Sequence, residues 1–100
     1  MHIKSKQITL TNLRQQVNNI DRNIIKQIAC RQLMIKQIAK YKEQHSIAIH
    51  DDERENILYA YHQNIAHKHQ VNKKLIANIF RLLIKFAKYT QNNLKQAKYK

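Results

Sequence analysis

An all-α fold of three helices is predicted by three observations: the chain contains no glycine and no proline, its commonest residues are strong or adequate helix formers, and its apolar residues recur at steps of three and four. Without Gly or Pro the usual residues of tight turns, hairpins and strand ends are missing. Ile, Leu, Lys, Gln and Ala instead favour helices joined by short polar connections. One hundred residues suit a single domain, 1–100, whose core is small enough that a partner chain would help to bury it.

The first helix is expected over about 11–44, opening at Thr11 or Asn12, both good caps, and meeting no breaker before Gln44. Leu13, Val17, Ile20, Ile24, Ile28, Ile35 and Ile38 form its apolar stripe. The polar, β-branched HSIAIH (His45 to His50) reads as a loop. The second helix is expected over about 51–66, capped by Asp51 or Asp52, with Ile57, Leu58, Tyr61 and Ile65 facing inward. The third is expected over about 72–95, capped by Asn72, with Leu75, Ile76, Ile79, Phe80, Leu83, Phe86 and Ala87 inward and Gln91 one turn beyond. The basic tail, Asn93 to Lys100, is expected to fray. Because the first helix is much the longest, part of its stripe would stay in water unless two copies pair along it.

Nineteen Lys and Arg against six Asp and Glu give a formal net charge of +13. Such charge attracts polyanions, and equally steers small dianions toward a site, so composition alone leaves both open. The first apolar run, Ile8 to Leu10, is too short for a signal peptide, and no apolar segment approaches the roughly 20 residues of a membrane span. With the single Cys30 this predicts a cytoplasmic protein without a membrane partner.

Arg31 and Lys42 interrupt the stripe of the first helix. A charge on a core face costs several kcal/mol unless paired, and either residue alone is accounted for by snorkelling. Eleven residues apart, however, they point within about 20° of each other with Cα atoms about 16 Å apart, a spacing from which two long side chains can grip one anion. Four of the six acids (Asp51, Asp52, Glu53, Glu55) crowd into five residues around Arg54. Two of them suit a helix start, whereas Glu55, one turn after Asp51, is not explained by capping and reads, with Arg54, either as an ordinary solvated first turn or as part of a site.

In this order the segments resemble the AroQ-type chorismate mutases, the all-helical class that forms an intertwined homodimer. LRQQVNNIDRNIIKQIACRQLMIKQIAKYK (Leu13 to Lys42) is similar to the family's LRxxIxxID…LLxxRxxLxxxIxxxK, DDERE (Asp51 to Glu55) to its DxxRE, and IFRLLIKFAKYTQ (Ile79 to Gln91) to its IFxxII…SxxxQ. Each motif is weak alone; in this order, with ungapped spacing from Leu13 to Gln91, they are specific. The resemblance implies an enzyme converting chorismate to prephenate in aromatic amino-acid biosynthesis, expected to be monofunctional because the sequence carries no regulatory or dehydratase segment. It implies that Arg14 and Arg31 bind the two carboxylates, that Lys42 contacts a carboxylate and the ether oxygen, and that Arg54 adds a further cation. Asp51 and Glu55 would hold the substrate hydroxyl and Gln91 would donate to the ether oxygen. Where relatives often carry serine, Ala87 offers only its backbone.

Arg14 is 28 residues from Lys42, about 42 Å along a straight helix, whereas two such side chains together reach about 13 Å. If both serve one site, Arg14 must come from the partner subunit. The reaction is unimolecular and needs neither metal nor cofactor, and the sequence carries no HExxH, no zinc-spaced Cys/His cluster and no Gly-rich phosphate loop. His67 and His69, two of six histidines, point in different directions on a helix. An isochorismate pyruvate-lyase of the same fold is the nearest alternative; the lyases lack a glutamate after the arginine of the second motif, where this chain has Glu55. A basic helical nucleic-acid binder, its five tyrosines (Tyr41, Tyr59, Tyr61, Tyr89 and Tyr99) stacking on bases, is a remote alternative: the tyrosines are scattered and no binding signature is present.

Overall fold

The computed structural model describes residues 8–98, with side chains up to Leu94. His2, Tyr99 and Lys100 fall outside them. Three helices follow in order, α1 (Leu10–Gln44), α2 (Asp52–Lys68) and α3 (Lys73–Lys98), and the described residues contain no strand. The chain divides into two compact units, Met1–Leu33 and Met34–Lys100.

The first unit is the N-terminal part of α1. Its cap is Thr9, upstream of the expected Thr11 or Asn12: the Thr9 Oγ1 accepts from the Asn12 N–H at 3.1 Å, satisfying one of the donors a helix start leaves over. Leu13, Val17, Ile20 and Ile24 form one face and are each about half exposed, 46–56%. Ile28 and Arg31 are partly covered.

The second unit begins with the last turns of α1. Both helix ends within it close without glycine. After α1 the Ile47 N–H donates to the Lys42 carbonyl at 2.8 Å and the Ser46 N–H to the Glu43 carbonyl at 3.4 Å. After α2 the Val71 N–H donates to the Ala66 carbonyl at 2.9 Å and the Gln70 N–H to the His67 carbonyl at 3.1 Å. Both are Schellman turns, which require a left-handed residue where glycine is the usual choice. Ser46 and Gln70 fill that position, each at φ 55°.

Asp51, in extended conformation, caps α2 by accepting from the Arg54 N–H at 3.0 Å. Asn72 caps α3 by accepting from the Leu75 N–H at 2.9 Å. The α2–α3 connection is held by the Gln63 Nε2, which donates to the Lys73 carbonyl at 2.9 Å. Helix α3 continues through Lys98, past the expected end near residue 95 and through most of the tail, Asn93 to Lys100, that was expected to fray.

Helices α2 and α3 pack on each other. The face that α2 turns inward is Leu58, His62 and Ala66, the last 3% exposed. Ile57, Tyr61 and Ile65, expected to face inward, lie on the exposed side. On α3 the covered line is Ile76, Phe80, Leu83, Ile84 and Ala87, leading to Gln91. The expected inward residues Leu75, Ile79 and Phe86 are exposed, and with Leu82 and Tyr89 they make a second apolar stripe. Both helices thus carry apolar residues on two faces. The contact between them uses the faces that let His62 stack on Phe80, ring centroids 3.7 Å apart.

Candidate functional site

The last turns of α1, the loop after it and the far part of α3 enclose a cavity of about 670 Å³, within the range of small-molecule sites. Ala39, Lys42, Ile47, Ile49, Gln91 and Leu94 are among its lining residues. Two residues singled out in the sequence, Lys42 and Gln91, therefore share one cavity. Lys42 is partly covered, and its Nζ donates to the Ile49 carbonyl at 3.1 Å. The Schellman turn after α1 produces this arrangement, because it folds the chain back so that residue 49 lies within reach of a side chain on the last turn.

Gln91 is the only buried polar side chain among the described residues, 5% exposed, and its Oε1 has no hydrogen-bond partner in the protein. Leaving such an atom unpaired costs about 1–3 kcal/mol. Gln91 thus brings a buried amide to the wall of the cavity, with its oxygen unpaired within the protein.

Asp51, the cap of α2, and Glu55, in its first turn, fare differently. Asp51 Oδ1 is engaged as the helix cap. Glu55, partly covered, accepts from Lys88 Nζ of α3 at 2.9 Å. Lys88 also lies 3.2 Å from His50 Nδ1, and the other ring nitrogen of His50 contacts Asp52 Oδ1. The two contacts together fit one neutral tautomer: Nδ1 accepts from Lys88 while the Nε2–H donates to Asp52. Arg54 is exposed at the same helix start, and Ala87 is partly covered one turn before Gln91.

Arg14 and Arg31 belong to the first unit. Arg14 is exposed. Arg31 is partly covered, and loss of hydration lowers its pKa from the ordinary value while leaving arginine charged. Among the described residues no three His, Cys, Asp or Glu side chains form a metal-binding group, and no helix is long and apolar enough to cross a membrane.

Lys88 did not emerge from the sequence, although a signal for it exists. It follows Ile84 by four residues and precedes Gln91 by three, which makes it a cation on the covered line of α3, as Arg31 and Lys42 are cations on the stripe of α1.

Comparison with known proteins gives this geometry its context. The model of the family described as chorismate mutase type II matches residues 13–92. A chorismate mutase of Methanocaldococcus jannaschii is 34% identical over 82 residues, covering 82% of this chain and 83% of that protein. A bifunctional chorismate mutase/prephenate dehydratase of Buchnera aphidicola from Schizaphis graminum is 35% identical over 85 residues, 85% of this chain but 22% of that protein. The bifunctional protein of Buchnera aphidicola subsp. Acyrthosiphon pisum is 32% identical over 81 residues, 81% of this chain and 21% of that protein. The chain thus spans about a fifth of the two bifunctional proteins and most of the archaeal one. With four fifths of its length matched and three helices without a strand among its described residues, the chain belongs to the type II chorismate mutase family.

Proposed function

We propose that this chain catalyses the Claisen rearrangement of chorismate to prephenate, supplying aromatic amino-acid biosynthesis in the cytoplasm as a homodimer with two composite sites. The observation that carries the reading is that buried Gln91 and the Lys42 ammonium line one cavity.

The reaction breaks an ether C–O bond while a C–C bond forms, so it needs no nucleophile and no external proton donor. What a protein must supply is a compact substrate conformer and groups that meet negative charge growing on the ether oxygen. Lys42 and Gln91 fill the second role. An ammonium has three N–H donors, so Lys42 can keep its bond to the Ile49 carbonyl, which aims it, while a second N–H meets the ether oxygen and a third a carboxylate. Half a turn of the Gln91 amide presents its Nε2–H to the same oxygen. Both bonds strengthen as charge develops, which is what lowers a barrier instead of merely tightening binding. Arg31, with Arg14 of the partner subunit, bridges the carboxylates and selects the chair-like conformer. Arg54 adds positive charge at the helix start. Asp51, whose cap uses Oδ1, and Glu55 accept the ring hydroxyl. Ala87 contributes only its backbone.

The homodimer is supported by the half-exposed face Leu13, Val17, Ile20 and Ile24 on α1 and by the exposed Leu75, Ile79, Leu82, Phe86 and Tyr89 on α3. Apolar rows of this length are surfaces that a second copy covers.

The test is to follow chorismate with purified protein in chelator-treated, cofactor-free buffer and identify the product. Prephenate is expected. Isochorismate converted to salicylate and pyruvate, with chorismate untouched, would instead establish the lyase of the same fold. Salt-sensitive binding to DNA or RNA without either activity would establish the nucleic-acid alternative.

A further inference from the structure

Lys88 and Glu55 are 33 residues apart in sequence and form a 2.9 Å ion pair between α3 and α2, each side chain about 30% exposed. An exposed surface pair contributes little. Neither residue is among those lining the cavity; what sets the pair apart is that Lys88 stands about one helical turn before buried Gln91, while Glu55 shares the first turn of α2 with Arg54, just after the Asp51 cap. Among the described residues every side-chain contact of Glu55, with Lys88 and with His50, falls on Oε2. Oε1 is left to accept. His50, lying 3.2 Å from Lys88 Nζ and anchored to Asp52, limits the positions the ammonium can take.

We propose that Lys88 is a positioning residue for substrate recognition: by holding Oε2 of Glu55 it presents Oε1 to the ring hydroxyl of the substrate. The proposal rests on the chorismate mutase reading above and extends it to a residue that reading does not use. Two physical requirements converge on Lys88. A glutamate with three rotatable bonds must be locked before it can select one hydroxyl position, and an ammonium bonded to one oxygen locks it while leaving the other oxygen's lone pairs usable. In addition, a carboxylate beside a substrate dianion repels it, and a cation 2.9 Å away offsets that repulsion.

The experiment compares wild type with Lys88→Met, Lys88→Arg, Glu55→Gln and the Lys88→Met/Glu55→Gln double variant, each checked for folding by circular dichroism and thermal melting. The hydroxyl contact is present in ground state and transition state alike, so losing its alignment raises KM about tenfold and leaves kcat within about threefold. Lys88→Arg, which keeps the cation, recovers most of the loss. In the Glu55→Gln background Lys88→Met adds almost nothing, because Lys88 acts through Glu55. Should Lys88→Met unfold, Lys88→Gln carries the same comparison. A wild-type KM in the folded Lys88 variant, or an undiminished Lys88→Met effect in the Glu55→Gln background, overturns the proposal alone. Wild-type protein that does not turn over chorismate overturns the functional reading and this proposal with it.

Discussion

The Lys42 side chain reaches over the end of its own helix and donates to the carbonyl of Ile49 at 3.1 Å. The same residue's backbone carbonyl accepts from Ile47 at 2.8 Å, so the turn that closes α1 is bonded to Lys42 through both its main chain and its side chain. A cation held in this way is pre-oriented before a ligand arrives, and the first prediction follows from that.

Replacing Lys42 with Ala removes a preorganised cation but only one partly solvated hydrogen bond. Turnover should fall by a factor of 10² to 10³, about 3–4 kcal/mol of barrier, while unfolding free energy drops by about 1 kcal/mol. Steady-state kinetics with parallel urea melts separate the two, and a folded variant keeping most of its kcat contradicts the role given to Lys42.

Ser46 and Gln70 hold φ 55° without being glycine. Left-handed backbone costs a residue with a Cβ about 1–2 kcal/mol, partly offset on substitution by the greater unfolded-state freedom of glycine. Ser46→Gly and Gln70→Gly should each stabilise by about 0.5–1 kcal/mol in urea-melt midpoints. Alanine at the same positions keeps the Cβ and should give no gain.

Arg14 and Lys42 are assigned to opposite subunits of one site. Arg14→Ala and Lys42→Ala homodimers should both be nearly inactive. Refolded together in equal amounts, half the particles are mixed and each mixed particle has one intact site, so about a quarter of wild-type activity should return. No recovery despite proven mixing would mean that the two cations do not share a site across subunits.

Ile20 and Ile24 lie exposed on the α1 face proposed to pair. An Ile20→Lys/Ile24→Lys variant places like charges where two copies meet and should sediment as a monomer or fail to assemble. Wild-type sedimentation equilibrium of the variant would remove this face from the interface.

The formal charge of +13 bears on capture of a dianion. Electrostatic steering enhances association by factors of 10 to 10³ and weakens as salt shortens the Debye length. Raising salt from about 0.05 M to about 0.5 M should lower kcat/KM several-fold with kcat nearly constant. A salt-independent kcat/KM would assign the charge to some other purpose.

The helices were legible before the structure because their causes are local. Absence of Gly and Pro, three- and four-step apolar spacing, and the caps Asp51 and Asn72 act within a turn or two of chain. Arg31 and Lys42 stand out for a similarly local reason, since a charged residue on an apolar line is anomalous wherever the line leads. The cap of α1 lies two or three residues before the expected Thr11 or Asn12 because Thr9, Thr11 and Asn12 are all competent caps, and which one wins depends on where the chain enters the helix.

Sequence alone could not say which face of α2 or α3 turns inward. Ile57, Tyr61 and Ile65 compete with Leu58, His62 and Ala66 on α2, and Leu75, Ile79 and Phe86 compete with Ile76, Phe80 and Leu83 on α3, at equal periodicity. The choice came from how the two helices meet, through the His62–Phe80 stack and the Lys88–Glu55 bond spanning 33 residues. Periodicity orders residues around one axis. It holds no information on which line of one helix will face which line of another, because that depends on contacts between segments far apart in the chain.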